Sequence, residues 1–353
     1  MSLRRIRIQA VVALVLVGVL VGIPAVIAQS ASKAADPTST KLVGPLQHKN
    51  LAIYLVSGKQ TDARKYITLT EAMKTKSVIL RERGSGGQVN ELEIENKSDQ
   101  WLYIQAGDVI QGGKQDRTIG TDVAIPPHSK PQPISAFCVE HGRWTPKSGG
   151  MGFQANTAVV GSNALKRSIQ GEKNQSAVWA EVAKEEMRAR AVLKPGPTSA
   201  EPMSTTGTYN AIVENREIET ERSDYVTALL PKVEKTTDAL GIVVAINGEV
   251  TAADVYASSA LFHKLARKLI DSYALEALLA QKQASASAAA PPKAAADRFL
   301  SDASKPSGRD EQAAPSVQRT TREAEGTVQF EYLETEKDSG RGGKLLHKNV
   351  VKK

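Results

Sequence analysis

The chain carries its clearest structural signal at residues 241–256, GIVVAINGEVTAADVY. The apolar run at 241–246 has the length and the β-branched content of a buried strand. Asn247 and Gly248 follow it directly. An Asn-Gly pair between two strand patterns is the strongest short signal for a β-hairpin, because both residues adopt positive φ readily. The segment therefore predicts a pair of antiparallel strands.

Upstream of this hairpin, short strand patterns dominate residues 45–145. Residues 51–56 form an apolar run that predicts a buried strand, and residues 91–95 alternate polar and apolar side chains, as a sheet with one solvated face requires. Thr70 is a candidate cap for one short helix opened by Glu71. This part of the chain is therefore predicted to be a mainly antiparallel sheet.

Helical patterns replace the strand patterns after residue 145. Ser176 can cap a helix whose apolar side chains recur every three or four residues. The predicted buried side chains of this helix are Val178, Trp179, Val182, Ala183 and Met187. Ser258 or Ser259 can cap another helix, with leucines on one face. Its charged side chains, largely on the other face, are Lys264, Arg267, Lys268 and Asp271.

These patterns predict an α+β fold, in which a mainly antiparallel N-terminal half (residues 45–145) packs with a helix-rich α/β C-terminal half (residues 146–282) of the same domain. Residues 283–325 are rich in Ala, Ser, Pro and Lys without periodicity, which predicts a disordered linker. Residues 326–353 predict one C-terminal strand and a basic tail. The tail is a candidate for weak contact with a membrane or wall polymer, against the alternative of a solvated terminus.

The N-terminus has the layout of a secretory signal peptide. Three arginines within the first seven residues precede an apolar run at 10–23 and a small-residue exit at Ala28. The sequence therefore predicts a signal peptide at residues 1–28, a polar spacer at 29–44, and export to the periplasm or the cell exterior. The alternative is an uncleaved membrane anchor, because the apolar span is close to the roughly 20 residues that cross a bilayer.

The formal net charge of +8 does not indicate a nucleic-acid partner. The three N-terminal arginines and the five basic residues of the segment 340–353 account for all of it, so the body of the chain is neutral. Cys138 is the only cysteine, which excludes an intramolecular disulfide. The five histidines show no ligand spacing, so we expect no metal site, and no motif predicts a cofactor.

Two runs of polar and aromatic side chains stand out, at residues 112–117 (GGKQDR) and 137–144 (FCVEHGRW). A strand and a turn between them would bring one arginine of each run to the same sheet edge, where guanidinium groups bind carboxylate or phosphate bidentately. We therefore predict an open ligand site at this edge. Its candidate residues are Lys114, Gln115, Asp116, Arg117, Glu140, Arg143 and Trp144. The alternative is structural: a hairpin whose charges pair locally, and an Arg143–Trp144 stack worth on the order of 1 kcal/mol.

These two runs resemble a bacterial family, the ARG and rhodanese-phosphatase-superfamily-associated protein domain. Its Gly-Gly-Lys-Gln-(Asp or Asn)-Arg run is matched at 112–117, and its Cys-Val-Glu-x-Gly-Arg-Trp run is matched at 138–144. The resemblance covers about residues 45 to 280 and implies no activity, because none is assigned to the family. His141 departs from the polar residue that is usual at its position. The segment beyond about Leu279 has no counterpart in the resemblance.

Three functions follow as hypotheses. The first is an exported, non-catalytic module that binds an anionic or polar ligand, or a protein partner, through the two runs. The second is a hydrolase that uses Cys138 as a nucleophile or the carboxylates of Asp108 and Glu140 as an acid and base. The third is an envelope structural protein whose basic tail makes the contact. For Cys138 the sequence favours a buried, unreactive thiol.

Overall fold

The computed structural model describes residues 40–83, 90–146, 152–193, 203–281, 288–335 and 343–353. They belong to one compact unit, Ala34–Lys353. The predicted signal peptide and residues 29–39 of the predicted spacer lie outside the described residues. A strand begins at Lys41, so the last residues assigned to the spacer belong to the fold instead.

The described residues form strands and helices that we number along the chain. The strands are β1 Lys41–His48, β2 Leu51–Ser57, β3 Tyr66–Thr68, β4 Val78–Glu82, β5 Glu91–Asn96, β6 Trp101–Ile104, β7 Asp108–Gly112, β8 Arg117–Ile119, β9 Val123–Ile125, β10 Gln132–Cys138, β11 Phe153–Val160, β12 Ala239–Ile246, β13 Glu249–Tyr256, β14 Arg309–Ala314, β15 Val317–Ala324, β16 Thr327–Glu334 and β17 Lys344–Lys352. The helices are α1 Leu69–Lys74, α2 Asn163–Arg167, α3 Gln175–Val192, α4 Tyr209–Val213, α5 Arg216–Glu234, α6 Ser259–Leu279 and α7 Lys293–Ser304. A π-helical turn, Ser168–Glu172, continues α2.

The strands form three sheets. The largest has the order β1-β2-β12-β13-β17-β16-β15-β14, and every neighbouring pair in it is antiparallel. A second, also antiparallel, has the order β11-β7-β8-β10-β5-β4, and a third has the order β3-β6-β9, with β3 and β6 parallel. The predicted α+β class is confirmed. The largest sheet contains both β1 and β17, the first and the last strand of the described residues.

The hairpin predicted from residues 241–256 is present in the middle of the largest sheet. Asn247 and Gly248 have φ values of 53° and 82°, which are the positive values that a tight two-residue turn requires. The strand β12 before them is buried along its whole length. It pairs with β13 on one side and with β2 on the other.

Helix α6 holds the three sheets together. It packs against β12, β13 and β2 of the largest sheet, β11 of the second and β3 of the third, and it also contacts α5 and α3. Ser258 caps its first turn by accepting a hydrogen bond from the Leu261 amide. Its C-terminal half is buried on nearly every side, which a helix surrounded by other elements requires.

Two predicted helix caps lie a little away from the observed ones. Thr68, not Thr70, caps α1, and it forms a reciprocal capping box with Glu71. Asn174, not Ser176, caps α3. In both helices a polar side chain two residues earlier takes the role, because it already has the extended backbone that an N-cap needs.

The predicted disordered linker at 283–325 is wrong for the residues that the structure describes. The segment 293–304 is α7, and residues 309–314 and 317–324 form β14 and β15. Ala296 and Ala303 are fully buried in a cluster with residues of β1, β2, β12 and β17, so small side chains let this helix lie close to the sheet. Composition alone predicted disorder because it does not show which alanines have a surface to pack against.

The predicted basic tail is also wrong. Residues 344–352 form β17, which lies between β13 and β16 inside the largest sheet. Two of its lysines form ion pairs with other parts of the fold: Lys344 with Asp62 at 3.0 Å, and Lys352 with Glu249. Among the described residues, no helix combines the length and the apolar content needed to cross a membrane.

Candidate functional site

Strand pairing brings the two predicted runs together. β8 and β10 are antiparallel neighbours, and Arg117 lies opposite Cys138 in the register. The turn before β8 depends on Gly112 and Gly113, which have φ values of 115° and 51°. A Cβ on Gly112 would come within 2.2 Å of the Gly152 carbonyl oxygen, so only glycine fits this close approach.

Glu140 and Arg143 form the first of two ion pairs in this region. Oε2 of Glu140 accepts a hydrogen bond from the Asp116 amide at 2.9 Å and lies 2.5 Å from Nη2 of Arg143. Its Oε1 accepts from Nε of Arg143 at 3.0 Å and from the Thr206 hydroxyl at 2.7 Å. Glu140 is only 1% exposed. Both of its oxygens therefore have donors within the protein.

Asp116 is held in the same way. Its Oδ1 lies 3.4 Å from Nη2 of Arg143, and its Oδ2 accepts from Thr208 at 2.7 Å and from Asn210 at 2.9 Å. Arg143 also donates to the Gly113 carbonyl at 2.8 Å. Its guanidinium group is therefore surrounded by acceptors from the protein itself.

Arg117 belongs to a second ion pair. Its side chain is fully buried, and Nη2 lies 3.2 Å from Oε2 of Glu82, whose side chain is only 3% exposed. Nη1 of Arg117 contacts Sγ of Cys138. This guanidinium group has no open side towards solvent.

The remaining predicted residues surround these ion pairs. Gln115 is buried and donates to the His141 carbonyl at 3.3 Å. Trp144 is 44% exposed, and its ring is 5.3 Å from Nζ of Lys114 and 5.4 Å from Cζ of Arg117. Cation–π contacts of this kind add packing and electrostatic attraction.

We call this set, with Glu82, the arginine cluster. The structure brings all seven predicted residues together, but it does not leave the two guanidinium groups open: each is paired with an internal carboxylate. Buried charge pairs of this geometry require their partners, because removal of one leaves the other uncompensated. Ligand binding by these residues stays a prediction, and the geometry favours their structural role.

Cys138 has the environment of an unreactive thiol. It is fully buried, and burial raises its pKa to about 11, although the neighbouring Arg117 acts in the opposite direction. The nucleophilic form of cysteine is the thiolate. A thiol with this pKa is protonated at neutral pH, so the thiol version of the hydrolase hypothesis has no support in this geometry.

The carboxylates of Asp108 and Glu140 belong to different networks. Asp108 lies 2.5 Å from Nζ of Lys268 on α6 and accepts from the Gln105 amide at 3.0 Å. Glu140 is held by Arg143, as described above. Each carboxylate is thus occupied by its own cation, and the acid and base pairing of these two residues gains no support.

Asp108 instead lies at a cleft between α1 and α6. The cavity measures about 340 Å³, and six of its lining side chains are charged. The cations are Lys74, Lys264, Arg267 and Lys268, and the anions are Glu71 and Asp108. We call it the cationic cleft, because its lining cations outnumber its anions by two.

The two anions of the cationic cleft are already paired. Lys268, only 8% exposed, holds Asp108, and Nζ of Lys264 lies 3.0 Å from both carboxylate oxygens of Glu71. In the part of the chain that the structure describes, Lys74 and Arg267 form no ion pair, and both are exposed. Two cations therefore remain available at the cleft.

A buried histidine network lies on another side of α6. His347 of β17 lies 2.7 Å from Asp122 and 3.0 Å from Asp254, and its ring stacks on Tyr256 at 4.2 Å. Burial alone would lower the pKa of His347, but the two carboxylates outweigh it and raise that pKa to about 9. His347 is therefore a buried cation at neutral pH, and it ties β17 to the rest of the fold.

The cationic cleft could not be predicted from the sequence, for a physical reason. The helical spacing of Lys264, Arg267 and Lys268 indicates a solvated face. It could not show that α1 would cover this face or that Lys268 would be buried against Asp108. The three-residue and four-residue spacing of these cations was the one signal present.

Comparison with known proteins supplies the last observation. No match was found among curated proteins or among solved structures. A family model does match, over residues 39–351, so the match extends through α7 and the strands that follow it. The chain belongs to the family of the ARG and Rhodanese-Phosphatase-superfamily-associated Protein domain.

Proposed function

We propose that this protein is an exported, non-catalytic binding protein that holds a small anionic ligand, of the phosphate or carboxylate class, in the cationic cleft. The observation that carries the proposal is the charge balance of that cleft. Lys264 and Lys268 are paired with the two carboxylates that line it, and Lys74 and Arg267 are left over. An anion would complete the pairing.

The chemistry of the two remaining cations fits such a ligand. A guanidinium group presents a planar fork of donors that matches the two oxygens of a carboxylate or phosphate, and an ammonium group adds a mobile point charge. Arg267 lies on α6 and Lys74 at the end of α1, so a ligand between them would join the two helices.

The same pairing supports binding without catalysis. A general base must be free to accept a proton from the substrate. Asp108 is engaged by Lys268, and Glu71 is engaged by Lys264 and by the capping box of α1. Neither carboxylate of the cleft is free to act as a base.

A thermal-shift screen tests the proposed ligand class. Inorganic phosphate, citrate, nucleotides, sugar phosphates and anionic wall fragments are added to the mature protein, and a raised melting temperature identifies a binder. Titration calorimetry then gives the affinity. We expect Arg267→Glu to weaken binding more than tenfold, since hydrogen bonds to charged groups are worth about 1.5–3 kcal/mol.

Arg298→Glu is the matched control. Arg298 is an exposed arginine in the middle of α7, outside the cleft. Its reversal changes the net charge equally and is expected to leave affinity within about twofold at 0.15 M salt. If no anion raises the melting temperature, or if both variants weaken binding alike, the proposal is wrong.

Export is tested separately. The arginines at the N-terminus, the apolar run that follows them and the small residue Ala28 support it. We expect the mature protein in the periplasmic or extracellular fraction, with a mass that corresponds to a chain beginning at Gln29. A full-length chain in the membrane fraction would instead identify an anchor, and a full-length chain in the cytosol would contradict export.

A further inference from the structure

A second cavity, of about 330 Å³, lies at the C-terminal end of α6. Its walls come from α3, α6, the β12–β13 hairpin and the beginning of α2. Three glutamates line it, Glu185, Glu249 and Glu276, against one cation, Arg188. We call it the acidic pocket. Its charge balance is opposite to that of the cationic cleft.

Glu185 is the most buried of the three glutamates. It is only 2% exposed, although its side chain lines the cavity. Its Oε1 accepts a hydrogen bond from the Ser162 hydroxyl. Within the described residues, its Oε2 has no hydrogen-bond partner. A buried carboxylate oxygen without a donor is costly, so the fold leaves a buried acceptor unfilled on a residue that lines this pocket.

Glu276 faces the same cavity from α6. Its Oε1 accepts from the Asn163 amide at 3.1 Å, at the beginning of α2. The Asn163 side chain is itself buried, and neither of its polar atoms has a partner among the described residues. Asn163 lies between Ser162 and Ala164, both of which line the cavity. Asn163 itself does not line the cavity, so the unfilled acceptor among the lining residues is that of Glu185.

The buried cation Lys166 compensates Glu276 only in part: its charge acts to lower the pKa of that carboxyl, but its ion pair is with Asp254. Nζ of Lys166 lies 3.8 Å from Asp254 and 5.4 Å from the ring centre of Tyr273, so its contacts are to other groups. Burial raises the pKa of Glu185 to about 8 and that of Glu276 to about 7. The other charged groups that act on the two glutamates are Glu181, Arg188, Lys166, Arg167 and Asp254.

The shape and composition of the pocket define the class of ligand. In the described part of the chain, no three acidic, histidine or cysteine side chains are grouped to hold a metal ion, whereas calcium takes six to eight oxygen ligands. The cavity is also far larger than one ion. Ile246, Leu279 and Ala280 give it an apolar side next to the carboxylates.

We propose that the acidic pocket binds a small organic cation, a primary amine with a short aliphatic body, whose ammonium group donates to Glu185 and Glu276. An ammonium group has three donors and no acceptor, so it satisfies the open Oε2 of Glu185 and a second carboxylate at once. The aliphatic body then contacts the apolar side of the cavity. This site is independent of the cationic cleft and of the function proposed for it.

Proton release follows from the chemistry of this site. Near pH 6 both glutamates are largely protonated, and a bound ammonium group favours their ionised forms. Binding therefore expels protons, and the affinity for the amine increases between pH 6 and pH 8. The affinity for a neutral ligand of the same size does not increase over this pH range.

Titration calorimetry of the mature protein with 1,4-diaminobutane tests the proposal, with 1,4-butanediol as the neutral analogue. At pH 8 we expect binding of the amine and none of the diol, and at pH 6 at least a tenfold weaker affinity for the amine. Repeating the pH 8 titration in buffers of different ionisation enthalpy measures the protons released. Calcium and magnesium chloride are titrated in parallel.

Three variants complete the test. Glu185→Gln and Glu276→Gln keep the size of the side chain and remove its charge, and each is expected to weaken amine binding more than tenfold. Glu234→Gln, at an exposed position at the end of α5, is the matched control and should bind as the wild type does. Equal binding of amine and diol, unchanged affinity in both pocket variants, or binding of a divalent cation in place of the amine would overturn the proposal.

Discussion

The arginine cluster and the acidic pocket both bury charged side chains, but only the cluster supplies each charge with an opposite partner. Arg117 is paired with Glu82, and Arg143 with Glu140, so each of the two guanidinium groups has a carboxylate partner. In the pocket, Glu185 has a hydroxyl as its only donor among the described residues. Buried charges with internal partners stabilise this fold, whereas those without partners remain available to a ligand.

The largest effect is expected when the arginine cluster loses one partner. Arg117→Met keeps most of the side-chain volume but leaves Glu82 buried and unpaired. Breaking a buried ion pair in this way costs about 3–5 kcal/mol of the free energy of unfolding. Urea denaturation followed by circular dichroism measures the loss.

Arg81→Met is the matched control for that measurement. Arg81 lies on β4 and pairs with Glu93 at 2.7 Å, but its side chain is 51% exposed. Exposed pairs contribute about 0–1 kcal/mol. If Arg117→Met costs no more than Arg81→Met, the cluster is not structural, and the comparison with the acidic pocket fails.

His347 gives the next largest effect, because it is the internal cation for two buried carboxylates. Its pKa is raised from an ordinary value near 6.5 to about 9, so its contribution is complete below pH 6.5 and is lost as the pH rises through 9. At about 1.4 kcal/mol for each pKa unit, His347→Gln should cost about 3 kcal/mol at pH 6 and far less at pH 9.5. A cost that is equal at both pH values would show that the histidine is neutral.

Glu185→Gln should raise the free energy of unfolding, whereas His347→Gln lowers it. The pKa of Glu185 is raised to about 8, so between pH 4.5 and pH 8 the unfolded chain releases a proton that the folded protein keeps, and the wild type loses stability as the pH rises. The variant lacks this loss. We expect it to be about 2 kcal/mol more stable than the wild type at pH 8 and equally stable near pH 4.5. Urea denaturation at both pH values checks this, with Glu234→Gln as the control that shows no difference.

The smallest effect is expected at the rim of the cationic cleft. Lys264 pairs with Glu71, and both side chains are well exposed. Lys264→Ala should therefore lower the free energy of unfolding by less than about 1 kcal/mol. Lys268→Ala, in contrast, leaves Asp108 buried without its cation and should cost several times more. If the two variants lose the same free energy of unfolding, the buried Lys268–Asp108 pair contributes no more to stability than the exposed Lys264–Glu71 pair.

Local signals in the sequence predicted the structural features that depend only on residues close together in the chain. The Asn247–Gly248 turn required only two residues with accessible positive φ, and the hairpin is present. The meeting of residues 112–117 with residues 137–144 required only a strand pair between them. The closure of that site could not be predicted, because the groups that seal it, such as Glu82 and Thr206, come from distant segments.

The burial of Glu185 on α3, which forms part of the acidic pocket, could not be predicted from the sequence either. Helical periodicity predicted that Met187 is buried, but it is 62% exposed, and Glu185 is buried in its place. Periodicity gives the direction of a helix face only to within about one side chain, and it assigns a glutamate to solvent by default. Only the position of α2 and α6 around α3 shows that this carboxylate lines a cavity.

The most direct test of the comparison is the ionisation of Glu185 itself. The protein is labelled with ¹³C at the glutamate carboxyl carbons, and NMR titration curves of the wild type and Glu185→Gln are compared in the absence of ligand. We predict one carboxyl resonance whose titration midpoint lies near pH 8 and which is missing from the variant. Addition of 1,4-diaminobutane should shift this midpoint to lower pH. If every glutamate carboxyl titrates between about pH 4 and 5, the pocket does not hold an uncompensated buried charge, and the account is contradicted.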